Sequence, residues 1–216
     1  MEKARVLERI RSTGLIPVIR ARSADEAAHA VDAIQAGGVG VLEITMTVPG
    51  AVELIREVAS RATDALVGAG TVLDPETATR CIDAGARFVV SPALNLDTVA
   101  TCREAGIAVI PGALSPTEVV TAWKAGADLV KVFPAGAVGG PSYIKALKAP
   151  LPQIDLVPTG GVNLQTAGDF IRAGASALGV GGDLVDLAAL RRGEASVLTE
   201  RARKFVEAVR EARPAV

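Results

Sequence analysis

A short phrase of alanine, glycine and one further small or apolar residue recurs five times along this chain of 216 residues. Each copy follows an amphipathic stretch and comes just before a short apolar run. Glycine directly after a helix readily adopts the left-handed backbone conformation that ends the helix, and the chain then continues into a strand. The repeat therefore predicts a series of helix–strand units, with helix ends at 36–38, 84–86, 105–107, 125–127 and 173–175.

Eight short apolar runs alternate with these helical stretches. Several helices are expected to open at a capping residue, namely Ser23, Asp74, Asn95 and Ser115. The side chains of these residues can accept hydrogen bonds from the first free N–H groups of a helix, and Pro suits its first turn. The apolar runs predict strands at 15–20, 40–46, 65–67, 88–91, 108–111, 129–133, 155–158 and 177–180.

Eight strands alternating with eight helices favour an α/β fold, namely a single (β/α)8 TIM barrel. A doubly wound open sheet is the alternative, although such a sheet usually needs fewer units. Residues 1–11 are expected to form a lead-in helix before the barrel, and residues 195–210 a closing helix. The connections are short throughout, so we expect one domain that spans residues 1–216.

The charge balance argues against nucleic acid or an anionic membrane as the main partner. Lys and Arg total 23 against 24 for Asp and Glu, the formal net charge is -1, and no basic run stands out. Cys81 and Cys102 lack metal-ligand spacing, and no stretch of about 18 apolar residues is uninterrupted. We therefore expect a soluble, cytoplasmic protein with reduced thiols.

Lys131 stands inside an apolar, β-branched run at 128–134 that predicts a strand buried on both faces. An isolated ammonium group is costly in such a place, and burial favours the neutral amine. A neutral, desolvated lysine can attack a carbonyl carbon and form a Schiff base. The alternative is a lysine that pairs with a carboxylate for structural reasons only.

Glu43 is the acid that this lysine could face. Side chains alternate along a strand, so Glu43 shares a strand face with Val41, and Lys131 shares one with Leu129. If both faces lie inside the barrel, one carboxylate and one amine point into a common cavity, as imine chemistry with a proton-transferring acid requires. A solvated rim residue or helix cap at Glu43, or a structural Glu43–Lys131 ion pair, remains the alternative.

Two glycine pairs follow the last two predicted strands, Gly160 with Gly161 and Gly181 with Gly182. The loops after strands seven and eight form the usual phosphate site of such barrels, because glycine lets backbone N–H groups approach an anion. These pairs predict a phosphate or carboxylate site. Simple tight turns are the alternative.

Six short motifs lie in order at the predicted strand ends, LEIT at 42–45, GAGTV at 68–72, VSP at 90–92, IPG at 110–112, VKVFP at 130–134 and PTGGV at 158–162. With these motifs the chain resembles, over nearly its whole length, the 2-keto-3-deoxy-6-phosphogluconate (KDPG) aldolases, also called 2-keto-4-hydroxyglutarate (KHG) aldolases. The resemblance implies a class I aldolase without metal or cofactor, usually a homotrimer. Its substrate is a 2-keto-4-hydroxy acid, cleaved to pyruvate and an aldehyde, in the main case D-glyceraldehyde 3-phosphate.

The resemblance also implies roles for individual residues. Lys131 forms the imine with the C2 ketone, and Glu43 is the general acid and base. Thr71, with main-chain amides near Pro92, holds the pyruvate carboxylate, and Phe133 packs its ring against the bound substrate. The phosphate is held by backbone amides of Gly160, Gly161 and Gly181.

Two departures from the family pattern bear on the anionic end of the substrate. Many members carry an arginine three to four residues after the glutamate, whereas this chain has Met46-Thr47-Val48-Pro49 there. We expect Thr47 to contact substrate and Arg20, at the exit of strand one, to replace the missing cation; a surface ion pair is the alternative for Arg20. Many members also carry a serine in the last loop, where this chain has Gly182 and then Asp183. Asp183 either disfavours a phosphate dianion or faces outward and caps the next helix.

Other functions stay open at this point. A near variant acts on unphosphorylated 4-hydroxy-2-oxoglutarate and releases pyruvate and glyoxylate. A barrel isomerase or synthase acting on a phosphosugar would keep the phosphate loops without a buried lysine. A non-catalytic trimer scaffold would use Lys131 and Glu43 only as a pair.

Overall fold

The computed structural model describes residues 1–61 and 65–213. In that part of the chain, strands and helices alternate almost throughout. The strands are β1 Leu15–Ile19, β2 Val41–Thr45, β3 Leu66–Gly70, β4 Phe88–Val90, β5 Ala108–Ile110, β6 Gly112–Ala113, β7 Val130–Val132, β8 Leu156–Pro158 and β9 Leu178–Val180. The helices are α1 Lys3–Thr13, α2 Ala24–Ala36, α3 Ala51–Ser60, α4 Pro75–Asp83, α5 Leu96–Glu104, α6 Pro116–Lys124, α7 Pro141–Lys148, α8 Ala167–Arg172, α9 Leu187–Arg191 and α10 Ala195–Ala212, with a 3-10 turn at Ala135–Val138.

All the paired strands run parallel, in an α/β fold with a curled sheet. Six strands are hydrogen-bonded in the order β5-β4-β3-β2-β1-β9, and three more in the order β6-β7-β8. Each of the eight predicted apolar runs corresponds to a strand, and the short β6, which follows Pro111, lies just beyond the fifth run and was not predicted. Because the strands are parallel, their carboxyl ends lie on one side of the molecule.

Local signals set the helix boundaries. The side chains of all four predicted caps accept a hydrogen bond from the main-chain N–H three residues later. Ser115 and Glu118 form a reciprocal capping box at the start of α6. The glycines that follow α4, α5, α6 and α8 have positive φ, as the repeated phrase predicts. The first copy departs from the pattern, because Gly38 rather than Gly37 adopts the left-handed conformation.

Two apolar clusters lie on opposite faces of the strands. The outer cluster fills the space between strands and helices and includes Leu42, Ile44, Val130 and Val132. The inner cluster combines two residues of the lead-in helix α1 with strand residues of the opposite face; its members are Val6, Ile10, Ile16, Val41, Leu66, Phe88, Val90, Ala108, Ile110, Leu129, Val157 and Ala177. The lead-in helix therefore covers the amino-terminal side of the inner cluster, and the carboxyl ends of the strands are left for a site.

Candidate active site

Glu43 and Lys131 project toward the same interior region. Glu43 lies in β2 between the outer-cluster residues Leu42 and Ile44, and two residues after inner-cluster Val41. Lys131 likewise lies between outer-cluster neighbours on β7 and follows inner-cluster Leu129 by two residues. Since side chains alternate between the faces of a strand, the carboxylate and the amine both point inward.

Both groups are shut away from solvent, with exposed fractions of 2% for Glu43 and 1% for Lys131. Burial raises the pKa of Glu43 above its ordinary value, and the positive charges of Lys131 and Arg20 counteract this only in part. Its Oε1 atom is buried without a hydrogen-bond partner. An acid with a raised pKa keeps its proton to a higher pH than an exposed glutamate does and can deliver it to a bound oxygen.

Lys131 has an environment suited to a reactive amine. Its Nζ lies 5.4 Å from the centroid of the Phe133 ring. Within the described ranges, Lys131 makes no ion pair with a carboxylate inside 4.0 Å, so the alternative of a tight structural pair with Glu43 does not hold. The amine therefore faces an aromatic ring and, at longer range, the charge of a single buried acid.

A cavity of about 180 Å³ opens at the carboxyl ends of the strands; Phe133, whose ring faces Lys131, lines it, whereas Lys131 and Glu43 do not. Six of the residues predicted to form the site line it, namely Arg20, Phe133, Gly160, Gly161, Gly181 and Gly182. Larger cavities lie elsewhere, such as one of about 620 Å³ lined by residues of α3 and α4, but none of these six residues lines that one.

Free backbone donors line this cavity. Gly160 and Gly161 have φ values of 84° and 77°, which suit glycine because other residues are strained there. The main-chain N–H groups of Gly161 and Gly182 donate to no acceptor in the described part of the chain. The Arg20 side chain likewise forms no ion pair or hydrogen bond with a described residue, so its predicted alternative, a surface ion pair, does not hold. Together these groups can bind an anion.

Besides Lys131 and Glu43, three of the predicted site residues do not line this cavity, namely Thr71, Pro92 and Thr47. Thr71 follows β3 with φ of 57°, an unusual conformation for a β-branched residue and one that marks functional sites. The main chain of Pro92 lies against Gly112, where an added Cβ would lie 2.3 Å from the Pro92 carbonyl. Thr47 is exposed, and its hydroxyl lies 2.6 Å from the hydroxyl of buried Thr45, not at the cavity.

Five other cavity residues had no predicted binding role, namely Val18, Thr159, Val162, Gly179 and Asp183. Strand alternation could have identified Val18 and Thr159, because each lies two residues after a member of the inner cluster, Ile16 and Val157 respectively. Asp183 also lines the cavity. Of the two alternatives for Asp183, the helix cap does not hold: α9 begins at Leu187, and Asp186 accepts the hydrogen bond from its first turn.

Two features of residues 1–61 and 65–213 bear on other kinds of site. No group of three or more His, Cys, Asp or Glu side chains is arranged to hold a metal ion. No helix in these ranges has the length and apolar character needed to cross a membrane.

Known proteins share both the sequence and this arrangement of strands. The family model described as KDPG and KHG aldolase matches residues 6–200. The KHG/KDPG aldolase of Escherichia coli (strain K12) is 37% identical over 202 residues, which are 93% of this chain and 94% of that protein. The solved KDPG aldolase of Legionella pneumophila, with pyruvate captured as a covalent carbinolamine intermediate, is 30% identical with a TM-score of 0.86, covering 93% of this chain and 97% of that one.

A further similar structure is a cube-shaped protein cage designed by fusing symmetric oligomeric domains. It is 34% identical with a TM-score of 0.84, and the match covers 92% of this chain and 73% of that one. The extent of the family match and the identity to its members lead to one conclusion. The chain belongs to the KDPG and KHG aldolase family and is an enzyme of the aldolase class.

Proposed function

We propose that this protein is a class I aldolase that cleaves 2-dehydro-3-deoxy-6-phosphogluconate to pyruvate and D-glyceraldehyde 3-phosphate through an imine on Lys131. The observation that carries the proposal is a buried amine and a buried acid that point into one interior region and do not form a tight ion pair. Neither a structural ion pair nor a phosphate-binding barrel without imine chemistry requires that arrangement.

In the first half of the reaction, the lone pair of Lys131 Nζ adds to the C2 ketone of the substrate. Glu43 donates its proton to the oxygen of the carbinolamine, which leaves as water, and an iminium ion remains. The low exposure of both side chains keeps bulk water away from this step.

In the second half, the Glu43 carboxylate removes the proton of the C4 hydroxyl. The C3–C4 bond breaks, its electron pair moves into a C2–C3 double bond, and the iminium nitrogen takes up the displaced electrons. The product on Lys131 is an enamine, so no free carbanion forms and neither a metal nor a cofactor is needed. Protonation at C3 and hydrolysis of the imine then release pyruvate.

The two anionic ends of the substrate are assigned to different parts of the site. Thr71 and the main chain near Pro92 bind the carboxylate of the pyruvate portion, and Phe133 packs against the imine. Arg20 and the amides of the loops with Gly160, Gly161, Gly181 and Gly182 bind the phosphate, because they line one cavity. Arg20 takes the place of the family arginine that this chain lacks after Glu43, and Thr47, whose hydroxyl is hydrogen-bonded to that of Thr45, is assigned to substrate contact.

A second candidate substrate is 4-hydroxy-2-oxoglutarate, which would give pyruvate and glyoxylate. The name of the Escherichia coli relative, which covers both activities, favours it. The chemistry at Lys131 would be unchanged, so a comparison of turnover on the two purified substrates decides which one is preferred.

The proposal includes a complete eight-stranded TIM barrel, in which β5 and β6 form the two halves of one strand. Two hydrogen bonds across the gaps between the sheets support closure: Asp128 N–H donates to the Val109 carbonyl at 3.1 Å, and Ser176 N–H donates to the Leu156 carbonyl at 2.9 Å. The inner cluster also takes residues from all eight predicted strands. A closed barrel makes residues 1–216 one domain, which predicts a single cooperative unfolding transition.

We also propose that the enzyme is a homotrimer in the cytoplasm, without a nucleic-acid or membrane partner. The match to a cage built from symmetric oligomeric domains supports assembly, and the unpaired thiols of Cys81 and Cys102 suit a reducing compartment. Light scattering on the purified protein tests the trimer, since a monomer or dimer mass would contradict it.

Borohydride reduction in the presence of pyruvate tests the imine. We expect one reduced pyruvyl group per chain, attached to Lys131 and located by peptide mass spectrometry. Lys145→Ala is the matched control, because Lys145 is exposed on α7 and this variant should still be labelled. An unlabelled wild-type chain, or a label on another lysine, would exclude the proposed intermediate.

A further inference from the structure

Two residues of opposite charge, Arg20 and Asp183, line the cavity at the carboxyl ends of the strands, and Arg20 also acts at longer range on Glu43. Neither side chain forms an ion pair or hydrogen bond with a described residue, and they do not pair with each other within 4.0 Å. Both charges are therefore available to whatever occupies the cavity.

The position of Asp183 is held by its main chain, not by its carboxylate. Arg201 Nη1 donates to the Asp183 carbonyl oxygen at 2.9 Å, and Arg201 Nη2 pairs with the Asp186 carboxylate at 2.9 Å. Of the two acids in this segment, Asp186 is thus committed to Arg201 and to the cap of α9. The carboxylate of Asp183 takes part in neither contact.

The loop that carries Asp183 faces open space. A Cβ added at Gly181 or Gly182 would meet no heavy atom within 4 Å. There is room at this point for the far end of a substrate, next to the free N–H groups of the glycine loops. A dianionic phosphate placed there would be attracted by Arg20 and the amides and repelled by Asp183.

We propose that Asp183 is a specificity residue that weakens the enzyme's preference for a phosphate at the far end of the substrate. This inference rests on the proposed aldolase function. With the opposite charges of Arg20 and Asp183, the cavity accepts 2-keto-4-hydroxy acids that end in a hydroxyl group as well as phosphorylated ones. Arg20 acts in the opposite direction and favours the phosphate.

The test compares kcat/KM for 2-keto-3-deoxy-6-phosphogluconate with kcat/KM for 2-keto-3-deoxygluconate, which lacks the phosphate. Asp183→Asn removes the charge and keeps the shape. We expect it to raise the ratio of the two values about tenfold, mainly by lowering KM for the phosphorylated substrate, as one unit charge near a solvated rim would. Arg20→Gln should lower the ratio.

Asp186→Asn is the matched control. It removes the same charge from the same loop, asparagine still caps a helix, and residue 186 does not line the cavity. Its ratio should stay within about twofold of wild type. An unchanged or lower ratio in Asp183→Asn, or an equal rise in Asp186→Asn, would overturn the inference.

Trapping with pyruvate separates this inference from the proposed function. Pyruvate has no far end, so wild type and Asp183→Asn should both be labelled on Lys131 by borohydride. Labelling without a change in the substrate ratio removes only the role of Asp183. Absence of labelling in both proteins removes the aldolase mechanism itself.

Discussion

The carboxylate of Glu43 occupies the space that a side chain at Gly70 would need. A Cβ built on Gly70 would lie 2.0 Å from Glu43 Oε1 and 2.5 Å from its Cδ. The two residues belong to the neighbouring strands β2 and β3, and both point to the interior side. Gly70 is therefore a positioning residue for the acid, because any larger residue would push the carboxylate away from its place.

Gly70→Ala should lower kcat by about ten- to a hundredfold, because a displaced acid loses its alignment with the substrate oxygen. Its pH–rate profile should also shift, since the altered burial of Glu43 changes the pKa of that carboxyl. Steady-state kinetics across pH measures both effects.

Gly68→Ala is the control for Gly70→Ala, two residues earlier on the same strand. An added Cβ there would meet the Phe88 ring at 2.4 Å and not the acid. Overpacking should cost about 1–3 kcal/mol of stability, while the pH–rate profile keeps its wild-type shape. If both variants gave the same shift in that profile, Gly70 would have no specific role in placing Glu43.

Lys131→Met should abolish cleavage and leave the fold intact. Methionine keeps most of the buried volume and removes the amine, so the apolar surroundings of residue 131 lose no packing. Circular dichroism and thermal unfolding should match or exceed wild type, while turnover falls to background. Activity close to wild type would mean that Lys131 is not the nucleophile.

Glu43→Gln should slow turnover by roughly two to four orders of magnitude, the usual contribution of general acid–base catalysis. Glutamine preserves the shape of the carboxyl group but cannot exchange a proton. Single-turnover measurements should show the loss in the chemical steps, with pyruvate binding little changed. Turnover within a few-fold of wild type would remove Glu43 from the mechanism.

The same substitution should raise stability at neutral pH. Burial raises the pKa of Glu43 in the folded protein, so folding favours the protonated acid. The stability due to this group is therefore fully present below the ordinary glutamate pKa of about 4.3 and is lost as pH rises through the higher folded value. The Tm difference between Glu43→Gln and wild type should widen from pH 4 to pH 8. A difference that stays constant across this range would contradict the raised pKa of Glu43 in the folded protein.

Cys81 and Cys102 should be inert in the folded protein. Burial raises the pKa of Cys81 to about 11 and that of Cys102 to about 12, so almost no thiolate exists near pH 8. Ellman's reagent should react with neither thiol in buffer and with both after denaturation. Cys81 lies in α4 and Cys102 in α5, so fast reaction of the native enzyme would show that one of these two helices opens readily.

Part of this protein can be predicted from its sequence because the signals are local. Alternating apolar residues placed the strands, and a side chain such as that of Ser115 caps its helix through atoms only three residues away. The burial of Lys131 and Glu43 also follows from strand periodicity, since each has outer-cluster residues on both sides. Helix caps and strand alternation depend only on residues that are close together in the chain, so one sequence is enough to recognise them.

The tertiary structure alone decided which residues meet across strands. Strand register brings Gly70 beside Glu43, although nothing in either segment encodes that pairing. The curled sheet likewise brings Asp183 to the same cavity as Arg20, which decides between two alternatives, substrate end or helix cap, that the sequence left open. The physical reason is that register and curvature arise from the packing of all strands and helices together, and no short stretch of sequence contains that information.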